Sequence, residues 1–536
     1  MPAVMTHPSR SPSGVATPGE ARMAGAVAAG MALGVGELVT GFGTSTQSLV
    51  GSVGNAFVRQ AGGGLARTAI RIFSTADKPA LIIGIVTISL LIGAVVGATA
   101  RRRPWVGPAG FGVVGLVGVL AAARDPLAST LRATVGATVG VAAGSATLLL
   151  LLRLAANGHV AIRPDRPTSP QASRRAFFGW AAAAGAFAAG AAVAGRSLRS
   201  TTVSDTARAT VHLPKPTNQA VPGGAPAAMR GPGVASFDVE GLSPYLVPNA
   251  DFYRIDTALV VPQVDPATWR LKVAGMVDQP FELGFDDLLA LPQVEEAVTL
   301  SCVSNEVGGK LVGNALWQGV PLRMLLDRAG IQAGATQVVG RSVDGFTVGF
   351  PTAALADDRV AMVAVGMNGE PLPVLHGFPA RLVVAGLYGY VSATKWLSEI
   401  HLTTLEDVDG YWIPRGWSKE APIKTESRID VPRSGALLPA GTTPIAGVAW
   451  APGPGRGVTR VEVRVDEGDW RDARLGEVLS GDTWRQWVID WDASSGDHTI
   501  QVRATDGTGE TQTDEQAPPE PDGATGWHTR RVRVSA

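Results

Sequence analysis

The sequence predicts a multi-domain chain: an N-terminal α-helical membrane region, a mixed α+β domain, and a C-terminal β-sandwich of immunoglobulin-like kind. Three observations carry this. Apolar runs of about 20 residues, the length of a bilayer span, recur before residue 200. Charge divides at the same place: residues 1–200 hold 18 Lys/Arg and 5 Asp/Glu, leaving 28 and 41 for the rest. Tryptophan divides too, with Trp105 and Trp180 in the first part and 11 of the 13 beyond. The zero net charge is therefore a cancellation between two differently built halves. At 536 residues and 46% hydrophobic content, a peptide, a small disulfide scaffold or a disordered tail is excluded. The basic residues flank apolar runs and form no stripe, which argues against nucleic acid as a partner.

The membrane region is expected at 23–199 with about five spans, after a cytoplasmic tail at 1–22. Spans fall at 80–100, 104–123, 131–152 and 177–195, with a fifth at 23–43 that carries Glu37. They are rich in Gly and Ala, which suits close helix packing in lipid. Glu37 reads either as a proton or substrate group within a span or as an interfacial carboxylate. Between Thr44 and Lys78, the pattern of Arg59, Arg67 and Arg71 among apolar residues suits an amphipathic interfacial helix. Arg101–Arg103 and the cluster from Arg153 to Arg175 mark cytoplasmic ends, so the last span should carry everything after Arg199 out of the cytoplasm. That span opens with Ser173-Arg174-Arg175-Ala176-Phe177-Phe178. The run resembles a twin-arginine export signal, here internal; ordinary flanking arginines are the alternative. The resemblance implies export of a domain that is already folded around its cofactor. His7 and His159 lie outside the spans, so no membrane-borne haem is predicted.

Residues 200–236 are rich in Pro, Gly and Ala and read as an extended tether. An α+β domain is expected over 237–433. Phe285–Leu291 looks like a helical turn opened by an Asp cap, and Val298–Cys302 like a short strand. Val320–Ala329 is an amphipathic helix with Leu322, Leu325, Leu326 and Ala329 on one face. Arg381–Ala385 and Lys395–Leu402 read as strands. Over 434–536 the pattern is purely β: Thr459–Val465, Trp484–Trp491 and His498–Arg503 alternate, with turns at Glu467-Gly468 and Asp506-Gly507.

Cys302 is the single cysteine, which excludes an intramolecular disulfide and any multi-cysteine metal site. An inert buried residue is the ordinary reading of a lone cysteine. Its place at a strand-to-loop junction suits two others: a soft thiolate ligand for a transition metal, or a nucleophile with His376 or His401 as base.

The run from Cys302 to Leu322, with His376-Gly-Phe-Pro-Ala-Arg381 and Gly389–Trp396, resembles the sulfite oxidase family of molybdenum enzymes. Gly447–Trp450, Val461-Glu-Val and Trp484–Trp487 resemble that family's immunoglobulin-like dimerisation domain. The resemblance spans roughly residues 237–536 and implies one molybdopterin, with Cys302 as the protein ligand to molybdenum. It further implies cofactor contacts from Asn249, Phe252, Tyr253, Ser342, His376, Arg381, Ser392, Thr394 and Lys395, and a tyrosine, Tyr411, bordering the active site. The chemistry suits this, since guanidinium offers a fork to phosphate and ammonium a point charge. The chain departs from the family after the cysteine, where an arginine expected in a sulfite pocket is replaced by the stretch Ser304-Asn305-Glu306-Val307. Arg341 and Arg415 are candidates to restore positive charge.

The expected protein is thus a multi-pass cell-membrane molybdopterin oxidoreductase with its catalytic domain outside the cytoplasm. It would carry out two-electron oxygen-atom transfer on a small molecule, a sulfoxide or another S- or N-oxide. A separate electron-transfer partner and a homodimer through the C-terminal domain are expected, and no haem. The alternatives are sulfite oxidation proper, a non-catalytic surface binding protein with a degenerate cofactor domain, or a transporter-like membrane half.

Overall fold

The structure, a computed structural model, describes residues 15–42, 47–60, 77–157, 170–200, 203–218 and 237–535. Two compact units form: Met1–Thr202 with Ala258–Val261, and Val203–Thr257 with Pro262–Ala536.

The first unit is helical: α1 (Pro18–Gly41), α2 (Leu49–Gln60), α3 (Asp77–Ala100), α4 (Val106–Ala123), α5 (Thr130–Asn157) and α6 (Pro170–Ser200). A capping box opens α1, where Thr17 Oγ1 accepts the Glu20 N–H at 3.3 Å and Glu20 Oε2 accepts the Thr17 N–H at 3.0 Å. All but α2 are long and apolar enough to cross a membrane. Ile83, Leu91, Val95, Leu116 and Val193 are exposed along them. The helices overrun the apolar stretches read from sequence; α6 begins at Pro170 and passes through Arg174 and Arg175. Charged ends lengthen a helix beyond its apolar part without breaking it, because long basic side chains reach back to the interface.

Small residues bring α1 against its neighbours. Gly25 meets the backbone of Gly93 and Gly97 on α3, Gly34 that of Ala188 on α6, and Gly41 that of Gly195. Gly140 and Gly144 of α5 rest on Ala32 and Ala28. A side chain at any of these glycines would collide with backbone. Glu37 lies in the last turns of α1. Of the expected interfacial segment, residues 49–60 are helical, and Asn55 Nδ2 donates to Asp125 Oδ2 at 3.0 Å; Arg67 and Arg71 fall outside the described residues.

The second unit starts with a correction. Residues 203–218 are no free tether: α7 (Val203–Thr210) is fastened by Arg208, which pairs with Glu370 at 2.8 Å and donates to the carbonyls of Pro371 and Leu372. Pro214 and Thr217 then bond to Gln318 and Gln293. Residues 219–236 of the expected tether lie outside the described residues.

Two sheets build the α+β part. One runs β2 (Phe281–Gly284), β1 (Arg270–Gly275), β10 (Leu397–Thr403), β5 (Gln337–Ser342) and β6 (Thr347–Pro351), with β1 and β10 parallel. The other runs β3 (Val294–Ser301), β4 (Val312–Pro321), β7 (Ala361–Met367) and β8 (Glu370–Pro371), with β9 (Arg381–Val384) pairing with β7. Three helices accompany them: α8 (Phe285–Ala290), α9 (Leu322–Ala329) and α10 (Gly389–Ser392). The predicted face of α9, Leu322, Leu325, Leu326 and Ala329, is wholly buried. The cap of α8 differs from the expectation. Gly284 holds the cap position and Asp287, three residues in, accepts its N–H at 2.8 Å.

The C-terminal part is a two-sheet sandwich. One sheet orders β11 (Glu426–Val431), β13 (Gly441–Trp450), β17 (Arg485–Ala493) and β16 (Arg474–Leu475). The other orders β12 (Leu437–Pro439), β19 (His528–Ser535), β18 (Gly496–Asp506), β14 (Val458–Val465) and β15 (Arg471–Asp472). Ile429, Ile445, Trp487 and Trp491 from the first meet Val461, Val463, Ile500, Val502 and Val532 from the second in one core. The sandwich starts at Glu426, earlier than the expected Ser434, because β11 alternates charged and apolar residues and hides its pattern.

Candidate functional site

Cys302 follows β3 directly and is 9% exposed. Its N–H donates to Leu311 O at 2.9 Å and its carbonyl accepts from Asn305 at 3.0 Å. Asn305 Oδ1 accepts the Leu311 N–H at 2.8 Å, closing the loop on itself. Burial pushes the thiol up, while Ser304 and the charge of Lys395 pull it down.

The turn after Asn249 brings Phe252 into the same region. Its ring stacks on Tyr253 at 5.2 Å and stands edge-on to Trp317 at 5.7 Å and to His376 at 5.6 Å. Gly313 of β4 makes room, since a Cβ there would sit 2.9 Å from Phe252 Cε2. Burial raises the Tyr253 phenol well above its usual range, with Cys302 adding to the effect and Arg381 opposing it.

His376 Nε2 lies 3.0 Å from Asn249 O. A carbonyl can only accept, so Nε2 carries the proton. Burial, with the charges of Lys395 and Arg381, lowers this histidine to about 4, so the ring is neutral and its Nδ1 is an acceptor. That Nδ1 is buried without a partner among the described residues. Arg381 opens β9 at 4% exposure; its Nη1 donates to His376 O at 3.1 Å and its guanidinium lies 4.9 Å over the Trp317 ring. Burial draws it down to about 10.

Lys395 is directed inward by its neighbours. Trp396 has φ +50°, a strained conformation for a bulky residue, and is held there by its Nε1 bond to Val374 O at 2.9 Å. Lys395 Nζ reaches Asp256 Oδ2 at 3.2 Å and Leu375 O at 3.3 Å. Burial lowers it to about 8 against the pull of Asp256.

Asn249, Phe252, Tyr253, Cys302, His376, Arg381 and Lys395 are thus brought to one place. The remaining candidates fare differently. The Ser392 hydroxyl donates to Leu387 O and Tyr388 O at 3.2 and 3.1 Å, which holds α10 and leaves that proton engaged. Thr394 Oγ1 is buried without a partner among the described residues, and a Cβ at Gly340 would come within 2.5 Å of it. Ser342 pairs with Leu397 in the β5–β10 register, next to Lys395 and Trp396, and its N–H donates to Phe346 O at 2.9 Å; the Tyr411 ring lies 5.5 Å from the Phe346 ring. Arg415 covers Tyr411 at 3.8 Å, and Arg341 pairs with Glu399 at 3.4 Å. His401, the other candidate base, also faces Glu399 at 3.3 Å. Sequence reasoning missed Asp256, Arg254 and Trp317. The Arg254-x-Asp256 spacing just after Tyr253 was the only local signal, and the two pair at 2.8 Å.

Among the described residues no three His, Cys, Asp or Glu side chains converge on a metal. The protein offers one sulfur, two buried cations and orphaned acceptor and hydroxyl groups at His376 and Thr394. Such a set is completed by an anionic, hydrogen-bonding cofactor that brings the other metal ligands itself. The residues present fit molybdopterin.

The comparisons agree with this chemistry. Residues 258–412 match the oxidoreductase molybdopterin binding domain, and residues 420–518 the Mo-co oxidoreductase dimerisation domain. The mitochondrial sulfite oxidase of Macaca fascicularis is 31% identical over 322 residues, covering 51% of this chain and 58% of that protein. The chain thus spans little more than half the length of the sulfite oxidases it matches. An uncharacterised oxidoreductase of Bacillus subtilis, YuiH, is 36% identical over 156 residues, covering 28% of this chain and 74% of its own. The crystal structure of the sulfane dehydrogenase SoxCD from Paracoccus pantotrophus aligns over 60% of this chain and 93% of that one, with 23% identity and a TM-score of 0.47. With the YuiH likeness covering most of that relative and the two domain matches following one another over 258–412 and 420–518, the first of them containing Cys302, the chain belongs to the sulfite oxidase family of molybdopterin-dependent oxidoreductases.

Proposed function

We propose that the protein is a membrane-anchored molybdenum oxidoreductase that transfers an oxygen atom to or from a neutral S- or N-oxide, on the extracytoplasmic side of the cell membrane. One observation carries the substrate reading. Glu306 is exposed on the loop that begins at Cys302, and the one basic residue of that loop, Lys310, lies four residues further on and is exposed as well. A dianion such as sulfite is repelled by that carboxylate, whereas a neutral oxide is not. Of the two arginines that could compensate it, Arg341 pairs with Glu399 and Arg415 lies over the Tyr411 ring.

When bound, the cofactor supplies a metal that exchanges two electrons and an oxygen atom. Cys302 would offer the thiolate, giving up its proton to bind the metal. Arg381 and Lys395 would balance the anionic charge of the cofactor, and His376 Nδ1, buried without a partner among the described residues, would be available to accept a hydrogen bond from it. Phe252 and Trp317 wall the site and exclude water. In the reductive direction a sulfoxide takes two electrons and two protons and leaves as sulfide and water; the reverse reaction takes its oxygen from water. Electrons pass to or from a separate partner.

The five apolar helices and the placement of basic clusters support the topology, and Arg174-Arg175 supports export of a folded domain. The dimerisation-domain match and the two-sheet sandwich support an immunoglobulin-like module that pairs two copies. The test is metal analysis with paired assays. About one molybdenum per chain is expected, with turnover of sulfoxides or amine oxides using an artificial electron donor. Molybdenum-loaded protein that oxidises sulfite as fast as it reduces any oxide overturns the substrate reading, and absence of molybdenum overturns the enzyme.

A further inference from the structure

The strand that opens the sandwich has two unlike faces. In β11, Ile429 points into the sandwich core, while Glu426, Arg428 and Asp430, at alternate positions, turn the other way. Arg428 is buried, at 6% exposure. Its Nη1 donates to Gly309 O at 2.8 Å, its Nη2 to Ser243 Oγ at 2.8 Å, and its Nε to Asp430 Oδ1 at 2.7 Å. Asp430 Oδ2 in turn accepts the Ser243 N–H at 3.0 Å. Beside it, Gly308 has φ +74°, and the His528 ring lies so close that any side chain at Gly308 would strike it. His528 is itself fixed, because its Nδ1 accepts the Ile429 N–H at 2.8 Å.

Gly308 and Gly309 are the far end of the loop that starts at Cys302. The near end is closed by the bonds from Cys302 and Asn305 to Leu311, and Glu306 O accepts the Gly309 N–H at 2.7 Å between them. The loop's own bonds thus tie its base and its Glu306–Gly309 turn, and the sandwich grips its outer side at Gly308 and Gly309.

We propose that Arg428 is a positioning residue for the Cys302 loop, so that the C-terminal sandwich sets the direction of the sulfur offered to the metal. This rests on the reading of Cys302 as metal ligand. A guanidinium suits the task because one rigid fork joins three oxygen acceptors on three chain segments. A module that served pairing of copies alone would have no use for a buried cation aimed at a glycine carbonyl of the other domain.

Two readouts on the full chain test this. The protein has one cysteine, so thiol labelling reports Cys302 alone. In protein made without molybdate, Arg428→Met should raise the labelling rate of the folded protein at least about tenfold, because the loop opens more often. In the loaded enzyme the same variant should lower kcat about tenfold with KM changed less than about threefold, and should alter the g-values of the molybdenum(V) paramagnetic resonance signal. Arg428→Lys, which keeps the charge and one donor, should recover most of both. Wild-type labelling and an unchanged signal in Arg428→Met overturn the inference. Should that variant not fold, Ser243→Ala removes one anchor of the guanidinium and should raise labelling about threefold; no rise overturns it. Wild-type protein without molybdenum overturns the proposed function and leaves the thiol measurement to decide the positioning role.

Discussion

Lys395 and Asp256 form a buried ion pair, Nζ to Oδ2 at 3.2 Å, with side-chain exposures of 10% and 6%. They are joined across 139 residues of sequence. A buried pair of this kind is costly to break from one side, because the survivor keeps its desolvation without its partner. Asp256 therefore keeps Lys395 charged in a place where burial pulls its ammonium down to about 8. Since an anionic cofactor binds the charged form, retention of molybdopterin should weaken as pH rises past about 8.

Asp256→Asn should remove that support. The expected outcome is a loss of about 3 kcal/mol of stability or, where the lysine sheds its proton instead, a several-fold fall in cofactor content at neutral pH. Thermal unfolding of the detergent-solubilised chain and molybdenum analysis measure the two effects. Unchanged values in both would show that the pair does not hold the cofactor.

Cys302→Ser should abolish turnover, by about a thousandfold or more, because an alkoxide is a harder and poorer partner for the metal than a thiolate. Stability should change by less than about 1 kcal/mol, since the two side chains are near in size and the site is a loop. Activity assays beside a thermal scan decide it, and full activity would remove the cysteine from the metal's surroundings.

Glu426 gives a pH dependence of opposite origin. Burial pushes its carboxyl up to about 8, against Asn305, Lys424, Tyr388 and Arg428. Between the ordinary carboxylate range and that value the folded protein holds a proton the unfolded chain has lost, so stability falls as pH rises through the interval. Glu426→Gln keeps shape and removes the titration. The variant should be more stable than wild type above pH 8, by about 1–3 kcal/mol, with little difference near pH 5, as read by denaturant unfolding. A wild-type stability that does not fall from pH 5 to pH 8 relative to the variant would contradict this.

Changing Arg174 and Arg175 together to lysine tests the export route. Positive charge is kept, so a purely topological role tolerates the change. A receptor-read twin-arginine signal does not, and the domain beyond Arg199 should then stay protected from protease added to spheroplasts. Digestion equal to wild type would make the pair topological only.

The parts legible in the sequence were those written locally. The apolar runs gave the five long helices because lipid imposes one length and one composition. The i, i+3, i+4 pattern gave α9 its buried face. His376, Arg381 and Lys395 were placed through motif resemblance, and the structure brings them to Cys302. What stayed hidden depends on residues far apart. Asp256 meets Lys395, Arg428 meets Gly309, and Arg208 meets Glu370 only after the chain has folded back. The same distance misled about 203–218, whose Pro-rich composition suited a tether while Arg208 and Thr217 tie it down.

The glycine contacts of α1 also bear on the order in which the membrane region can be completed. Gly34 and Gly41 rest against Ala188 and Gly195 of α6, the last span to leave the ribosome. Until that helix arrives, the first span has a bare groove of small residues along one side, even with α3 and α5 already in place. If the five long helices insert in chain order, α1 waits through the insertion of three others before α6 closes its seam. If the Arg174–Arg175 step were delayed, the folded domain would wait while the seam of α1 stayed open.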